Sequence, residues 1–300
     1  MFLRVLAGVP ALLLVVPAAC GEVDGQDAGA ASGVDGRQDE MIAESMVLED
    51  GSHGPQLCLG GVMDSLPPQC GGPDLPGWDW KAVSGFDQSH GTRWGVFVVI
   101  GTYDRAAGTF TLTRPAVPAE EYDGTGLPEA EDNEPVWHTP CPEPDGGWRV
   151  VDPALTSQHN FDQTMRAARA RPDFGGLWVD QSINPAATDG NQANGEERLN
   201  DPEQMILNVA VTGDPSAAEA DLRRTWGGAL CVSPAKYTER HLVRIQRQIR
   251  STPDLLSSGI GDGRVEVTVV WDDGSLQAQL DEQYGAGAVV VSSALHPFQP

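Results

Sequence analysis

The sequence has few basic residues, and only two of them are lysines, Lys81 and Lys236. Its 300 residues include 43 Asp and Glu against 19 Lys and Arg, which gives a formal net charge of −24 at pH 7. A chain with this charge is repelled by phosphate backbones, whose binding depends on Lys and Arg contacts. The composition therefore predicts that the protein has no nucleic-acid partner.

The sequence also lacks the common short motifs of catalysis and cofactor binding. It contains no G-x-S-x-G nucleophile elbow and no H-E-x-x-H zinc motif, and neither lysine follows the glycine of a Walker A loop. Gly259, Gly261 and Gly263 alternate, but a predicted strand follows them, whereas a nucleotide-binding loop leads into a helix. We therefore predict that the protein is not an enzyme and uses no cofactor. A hydrolase whose site follows none of these motifs is the alternative.

The sequence has only one long apolar run, at its N-terminus. Residues 5–16 are apolar apart from Gly8 and Pro10. A membrane-spanning helix needs about 20 residues, so this run is too short to cross a bilayer. It follows the basic residue Arg4 and is typical of a secretory signal. Contact with a membrane is therefore expected to go through a lipid anchor.

Cys20 follows the small pair Ala18-Ala19 directly, and Pro17 precedes that pair. This arrangement resembles the lipobox of bacterial lipoproteins, a family that prefers Leu where Pro17 stands. The resemblance implies cleavage of residues 1–19, lipidation of Cys20 and a location on the extracytoplasmic face of the cell membrane. An ordinary cleaved signal with an incidental cysteine is the alternative.

Four cysteines remain after the lipobox, and an exported chain with four cysteines is expected to form two disulfides. They are Cys58, Cys70, Cys141 and Cys231, which permit three pairings. Cys58 and Cys70 bracket the turn-rich segment CLGGVMDSLPPQC and would close a local loop, so we favour Cys58–Cys70 and Cys141–Cys231. The alternative is a metal site on His138 and Cys141, spaced H-x-x-C. It lacks a second ligand pair, so no metal is predicted.

Composition divides the first part of the chain into three segments after the signal. Residues 21–40 have almost no large apolar side chains, which predicts a flexible tether over residues 20–42. Residues 43–118 contain RWGVFVVIGTYD and GTFTLTRP, which predict a hairpin in a β-rich domain, either a small barrel or an open sheet. Residues 119–135 include seven acids and no base and are predicted to be an acidic linker. A calcium site is the alternative there, but the residue order of an EF-hand is missing.

Residues 136–300 alternate between helical and strand patterns, which is typical of a sheet that carries helices. We therefore predict an α+β protein in which an α/β sandwich-like domain follows the β-rich N-terminal domain. In the predicted helix TERHLVRIQRQI, Arg240, Arg244 and Arg247 share the face opposite the apolar residues.

Four segments of this half have a familiar order: GGLWVD (175–180), NVAVTGDPSAAEADLRR (208–224), a helix opening YTERHL, and YGAGAVVVSS. Together they resemble the pro-region of α-lytic-type, chymotrypsin-like proteases of actinobacteria, over roughly residues 160–295. In that family the module folds and inhibits a protease by packing its sheet on it and presenting its C-terminal tail to the active site. The sequence departs from this family because no protease domain follows Pro300, so the resemblance excludes a folding role in cis and permits only inhibition in trans.

The sequence thus predicts a membrane-anchored extracytoplasmic lipoprotein that acts as a non-catalytic protein-binding module, with an unidentified protein, a protease among the candidates, as its partner. A second hypothesis uses the tryptophans, of which there are eight. Trp78, Trp80 and Trp94 would stack on sugars of a cell-wall carbohydrate, although burial in the core is the alternative for such residues.

Overall fold

The computed structural model describes residues 40–129, 138–188 and 198–300. Residues Gln38–Pro300 form one compact unit. The predicted signal peptide (1–19), Cys20 and the tether up to residue 39 lie outside the described residues, as does the end of the predicted acidic linker. Within the described ranges, no helix is long and apolar enough to cross a membrane.

The N-terminal part of the described chain is a β-sheet. Its strands in chain order are β1 (Met41–Glu49), β2 (Gln56–Cys58), β3 (Asp87–Ser89), β4 (Thr92–Asp104), β5 (Thr109–Leu112) and β6 (Val117–Pro118). The long strands β1 and β4 are antiparallel neighbours at the centre, with β2 beside β1 and with β3, β5 and β6 beside β4. Over the described residues the sheet stays open, so of the two predicted forms the open sheet is found.

Both faces of this sheet carry buried apolar clusters, which explains the continuous apolar run in β4. Successive side chains of a strand point to opposite faces. Phe97 and Val99 lie in the main core of the N-terminal part, whereas Val98 and Ile100 lie in a second cluster on the other face. β1 begins at Met41, two residues before the predicted boundary of the β-rich domain, because Met41 and Ile42 are themselves buried.

The C-terminal part alternates helices and strands, which confirms the α+β class. Its elements are α1 (Gln158–Ala170), β7 (Phe174–Asp180), α2 (Pro185–Thr188), β8 (Ile206–Val211), α3 (Pro215–Leu222), β9 (Ala229–Pro234), α4 (Glu239–Gln248), β10 (Leu255–Gly261), β11 (Arg264–Val269), α5 (Ser275–Tyr284), β12 (Val289–Ser293) and β13 (His296–Pro297).

Apart from the short helix α2 between β7 and β8, these elements form the same α-β-β-α-β unit twice in succession. The sheet β7–β8–β9 follows α1, and the sheet β10–β11–β12 follows α4. In each sheet the first two strands are antiparallel and the last two are parallel. A parallel pair needs a crossover connection, which α3 supplies in the first unit and α5 in the second.

Each of the two sheets packs its helices against one face only. In the first unit, Leu207, Val209 and Val211 of β8 share a core with apolar residues of α1 and α3. In the second unit, Val265, Val267 and Val269 of β11 share a core with apolar residues of α4 and α5. Because strand residues alternate in direction, the intervening residues of β8 and β11 point to the opposite face.

The end of the chain returns to the N-terminal sheet. β13 pairs with β1, where Pro297 lies opposite Met41. Leu295, immediately before β13, is fully buried in the main N-terminal core. The predicted division into domains at residues 43–118 and 136–300 stays a prediction, but this last strand joins the two halves.

Candidate binding surfaces

The sheet β10–β11–β12 exposes the face that its helices do not cover. We call this surface the open face and define it by six neighbouring residues: Ser257, Gly259, Glu266, Thr268, Val290 and Ser292. Four of them are exposed and two, Thr268 and Val290, are half-buried. Most of these side chains are small, so the surface has low relief and another backbone can approach it closely.

The corresponding face of the first sheet is covered from within the chain. Ile206 and Cys231 lie on that face and pack against Cys141, Trp148 and Ile183. The disulfide Cys141–Cys231 ties this covering segment to the sheet. The two sheets therefore share a topology but differ in whether this face is accessible.

The structure contains both disulfides that the sequence favours. Cys58 and Cys70 have their Cα atoms 5.6 Å apart, and Cys141 and Cys231 have theirs 5.8 Å apart. The alternative metal site on His138 and Cys141 loses its thiolate ligand, because the sulfur of Cys141 is bonded to that of Cys231.

A shallow cleft of about 700 Å³ lies where the covering segment meets the end of β7. At its base Asp180 is only 6% exposed. Its Oδ2 accepts hydrogen bonds from the N–H and hydroxyl of Thr139, at 2.9 and 2.7 Å, and its Oδ1 accepts one from the N–H of Ser182 at 2.8 Å. Burial raises the pKa of Asp180, but these hydrogen bonds outweigh burial and hold the pKa below its ordinary value. Both oxygens are engaged, so this carboxylate fastens the covering segment to β7 rather than acting as a base.

The tryptophans of the sugar-binding hypothesis do not form an exposed row. Trp80 is 6% exposed, its indole N–H donates to Glu49, and its ring packs 4.9 Å from that of Phe86. Trp78 is half-buried and packs edge-on against Trp80, 5.3 Å between ring centroids. Trp94 is half-buried on β4. As a correction to that hypothesis, Trp80 has no free ring face for a sugar, since the core of this small sheet needs its large apolar surface.

The C-terminal tail is also engaged. The N–H of Phe298 donates to the carbonyl of Glu40 at 2.7 Å, and its ring packs in the cluster of Ile42 and Val98. The guanidinium carbon of Arg114 lies 4.4 Å from the ring centroid. A tail held in this way differs from one that is presented to a protease, which is the role that the pro-region resemblance implies.

The residue pattern of β11 is a sequence signal for the open face. In β11 the residues alternate between buried valines and more exposed polar side chains, Glu266 and Thr268. Such alternation predicts a strand with one face on the core and one face on solvent. The sequence predicts this strand, but it does not predict that Ser257 and Ser292 of the neighbouring strands lie beside Thr268 on the same exposed face.

Compared with models of protein families and with curated proteins, the sequence matches none. The likeness to protease pro-regions, the lipid anchor and the extracytoplasmic location therefore stay predictions from the sequence.

Proposed function

We propose that this protein is a lipoprotein, anchored through Cys20 to the extracytoplasmic face of the cell membrane, whose folded body binds another protein through the open face. The observation that supports this proposal is the contrast between the two sheets of like topology. In the sheet β7–β8–β9, the face without helices is buried under a segment tied by Cys141–Cys231. In the sheet β10–β11–β12, the corresponding face leaves Ser257, Gly259 and Ser292 exposed.

The shape and chemistry of the open face suit a protein better than a small molecule. Small-molecule sites are concave and enclose their ligand, whereas this surface is one face of a three-stranded sheet. Its polar side chains are hydroxyls and one carboxylate, Glu266, whose Oε1 lies 3.4 Å from Nε of Arg264. A non-obligate interface is about as polar as the rest of a protein surface, so these polar side chains are compatible with one. A chymotrypsin-like protease is the candidate partner that the pro-region resemblance adds.

The area of the open face limits the affinity that it supplies alone. With strands about 4.8 Å apart and a rise of about 3.3 Å per residue, three strands of five residues cover roughly 240 Å². A stable complex buries about 800 Å² on each partner. The partner must therefore also contact residues around the sheet, or the complex is transient.

Site-specific photo-crosslinking in intact cells tests this proposal. A photoreactive side chain at Ser292 should give a discrete protein adduct, and adding Ser257→Arg should abolish it by placing a long cation on the open face. The matched control puts the same photoreactive group at Gln163 on the exposed side of α1, with Ala167→Arg beside it. Identical adducts from positions 292 and 163 would contradict a specific role for the open face.

Binding to a protease is tested with purified protein. The protein should bind a secreted chymotrypsin-like protease reversibly, and Ser257→Arg with Ser292→Arg should weaken binding far more than Gln163→Arg with Ala167→Arg. If a panel of such proteases shows no binding at micromolar protein, the protease is not the partner, and the adduct identified by crosslinking takes its place.

The anchor is tested separately from the binding surface. Cys20→Ala should move the protein from the membrane fraction to the medium or leave an uncleaved precursor. A wild-type protein that carries no acyl label would refute the anchor and leave the open face untouched.

A further inference from the structure

The solvent side of α4 carries a row of arginines. Arg240, Arg244 and Arg247 are exposed on this helix, and Arg250 is exposed in the turn that follows. Spacings of three and four residues place side chains on one helix face. We call these four residues the arginine stripe, which spans about 15 Å along the axis at 1.5 Å per residue.

Most of the eleven other arginines in the described ranges are paired with a carboxylate. Seven others lie within 4 Å of a carboxylate: Arg93, Arg105, Arg114, Arg171, Arg223, Arg224 and Arg264. Among the described residues, no carboxylate comes within this distance of any member of the arginine stripe. In a chain with 43 acids, an unpaired row of four cations is available to an external anion.

We propose that the arginine stripe docks on the anionic phospholipid headgroups of the membrane that carries the anchor. This inference rests on the proposed anchor for its biological setting. The 20 residues from 21 to 40 extend to at most about 70 Å, so an anchored body stays close to the headgroups and docking becomes an intramolecular event.

Charge complementarity makes this docking favourable despite the net charge of the chain. An arginine near an anionic membrane surface strengthens binding by about fivefold, and the attraction falls off within a Debye length. That length is about 8 Å at physiological salt, so acids on distant parts of the protein are screened while the arginine stripe lies in contact.

Vesicle binding by residues 38–300, which form one compact unit, tests the proposal without the lipid. The probe is a vesicle of phosphatidylcholine with about one third phosphatidylglycerol, compared with pure phosphatidylcholine. We expect binding to the anionic vesicle alone, weaker at high salt. Arg240→Gln with Arg244→Gln should weaken it about 25-fold, which is about fivefold for each arginine.

The matched control removes the same charge from another helix. Arg166→Gln with Arg169→Gln changes two exposed arginines of α1, which packs on the other sheet, and should alter binding by less than about twofold if contact decides the effect. Equal losses for the two double variants would overturn the proposal, because binding would then follow net charge. Absence of binding to the anionic vesicle at physiological salt would also overturn it, as would binding to soluble poly(glycerol phosphate) without binding to vesicles. None of these results would bear on acylation of Cys20.

Discussion

Replacing Leu295 with alanine tests whether the two ends of the folded chain share one core. Leu295 has no exposed surface and packs in the same cluster as Met41, Leu57 and Phe97. The residue lies only five positions before the C-terminus, where side chains are often poorly ordered. A large effect of this substitution would therefore be specific to the observed return of the tail.

The expected loss follows from burial. Leu→Ala at a fully buried position costs about 2–5 kcal/mol, because the transfer free energy of the side chain is lost and a cavity is left. We expect about 3 kcal/mol for Leu295→Ala, since the neighbours of Leu295 include strand residues that cannot move into the space. This is a large part of a typical unfolding free energy of about 5–15 kcal/mol.

Urea unfolding, followed by tryptophan fluorescence and by circular dichroism, measures the loss. Leu66→Ala is the matched control, because Leu66 is 80% exposed, and a surface substitution of this kind changes stability by about 0.5 kcal/mol or less. If Leu295→Ala costs no more than Leu66→Ala, the tail does not belong to the N-terminal core and the pairing of β13 with β1 is wrong.

Two other predictions concern stability. Replacing Cys141 and Cys231 together by serine should lower the unfolding free energy by about 4–5 kcal/mol in the loop-entropy account, because the bond closes a loop of sequence separation 90; a loss below about 1 kcal/mol in urea unfolding would refute this. Burial, and then the carboxylate of Asp254, raises the pKa of Tyr103 to about 12, so stability should be unaffected below pH 10 and fall as the pH rises from 10 to 12. Thermal unfolding of Tyr103→Phe should lack this alkaline loss, and an equal loss in the variant would contradict the assignment.

Local sequence signals predicted the individual elements well. In the structure the Asp214 carboxylate accepts a hydrogen bond from the N–H of Ser216, and Pro215 is the first residue of α3; both residue types typically begin a helix. The helix α1 ends at Ala170, two residues before Pro172, because a proline cannot continue a helix. These features depend on a few adjacent residues, so a single sequence is enough to read them.

Contacts between distant residues could not be read in this way. The pairing of Met41 with Pro297 joins residues at opposite ends of the chain, and neither residue type specifies its partner. The burial of Trp80 depends on Phe86 and Phe97 coming together around it. A tryptophan suits both a core and a sugar platform, so its role is decided by neighbours that only the fold supplies.

The two proposed surfaces lie on opposite sides of one small sheet, and this arrangement relates them. The buried residues of α4, Leu242 and Ile245, pack on one face of β10–β11–β12, and the arginine stripe points away from that face. The open face looks in the opposite direction. If the arginine stripe contacts the membrane, the open face is therefore presented to the extracytoplasmic space, where a partner can reach it. The C-terminal tail cannot bind the partner while Phe298 remains packed against Ile42. Binding to another protein therefore depends on the open face.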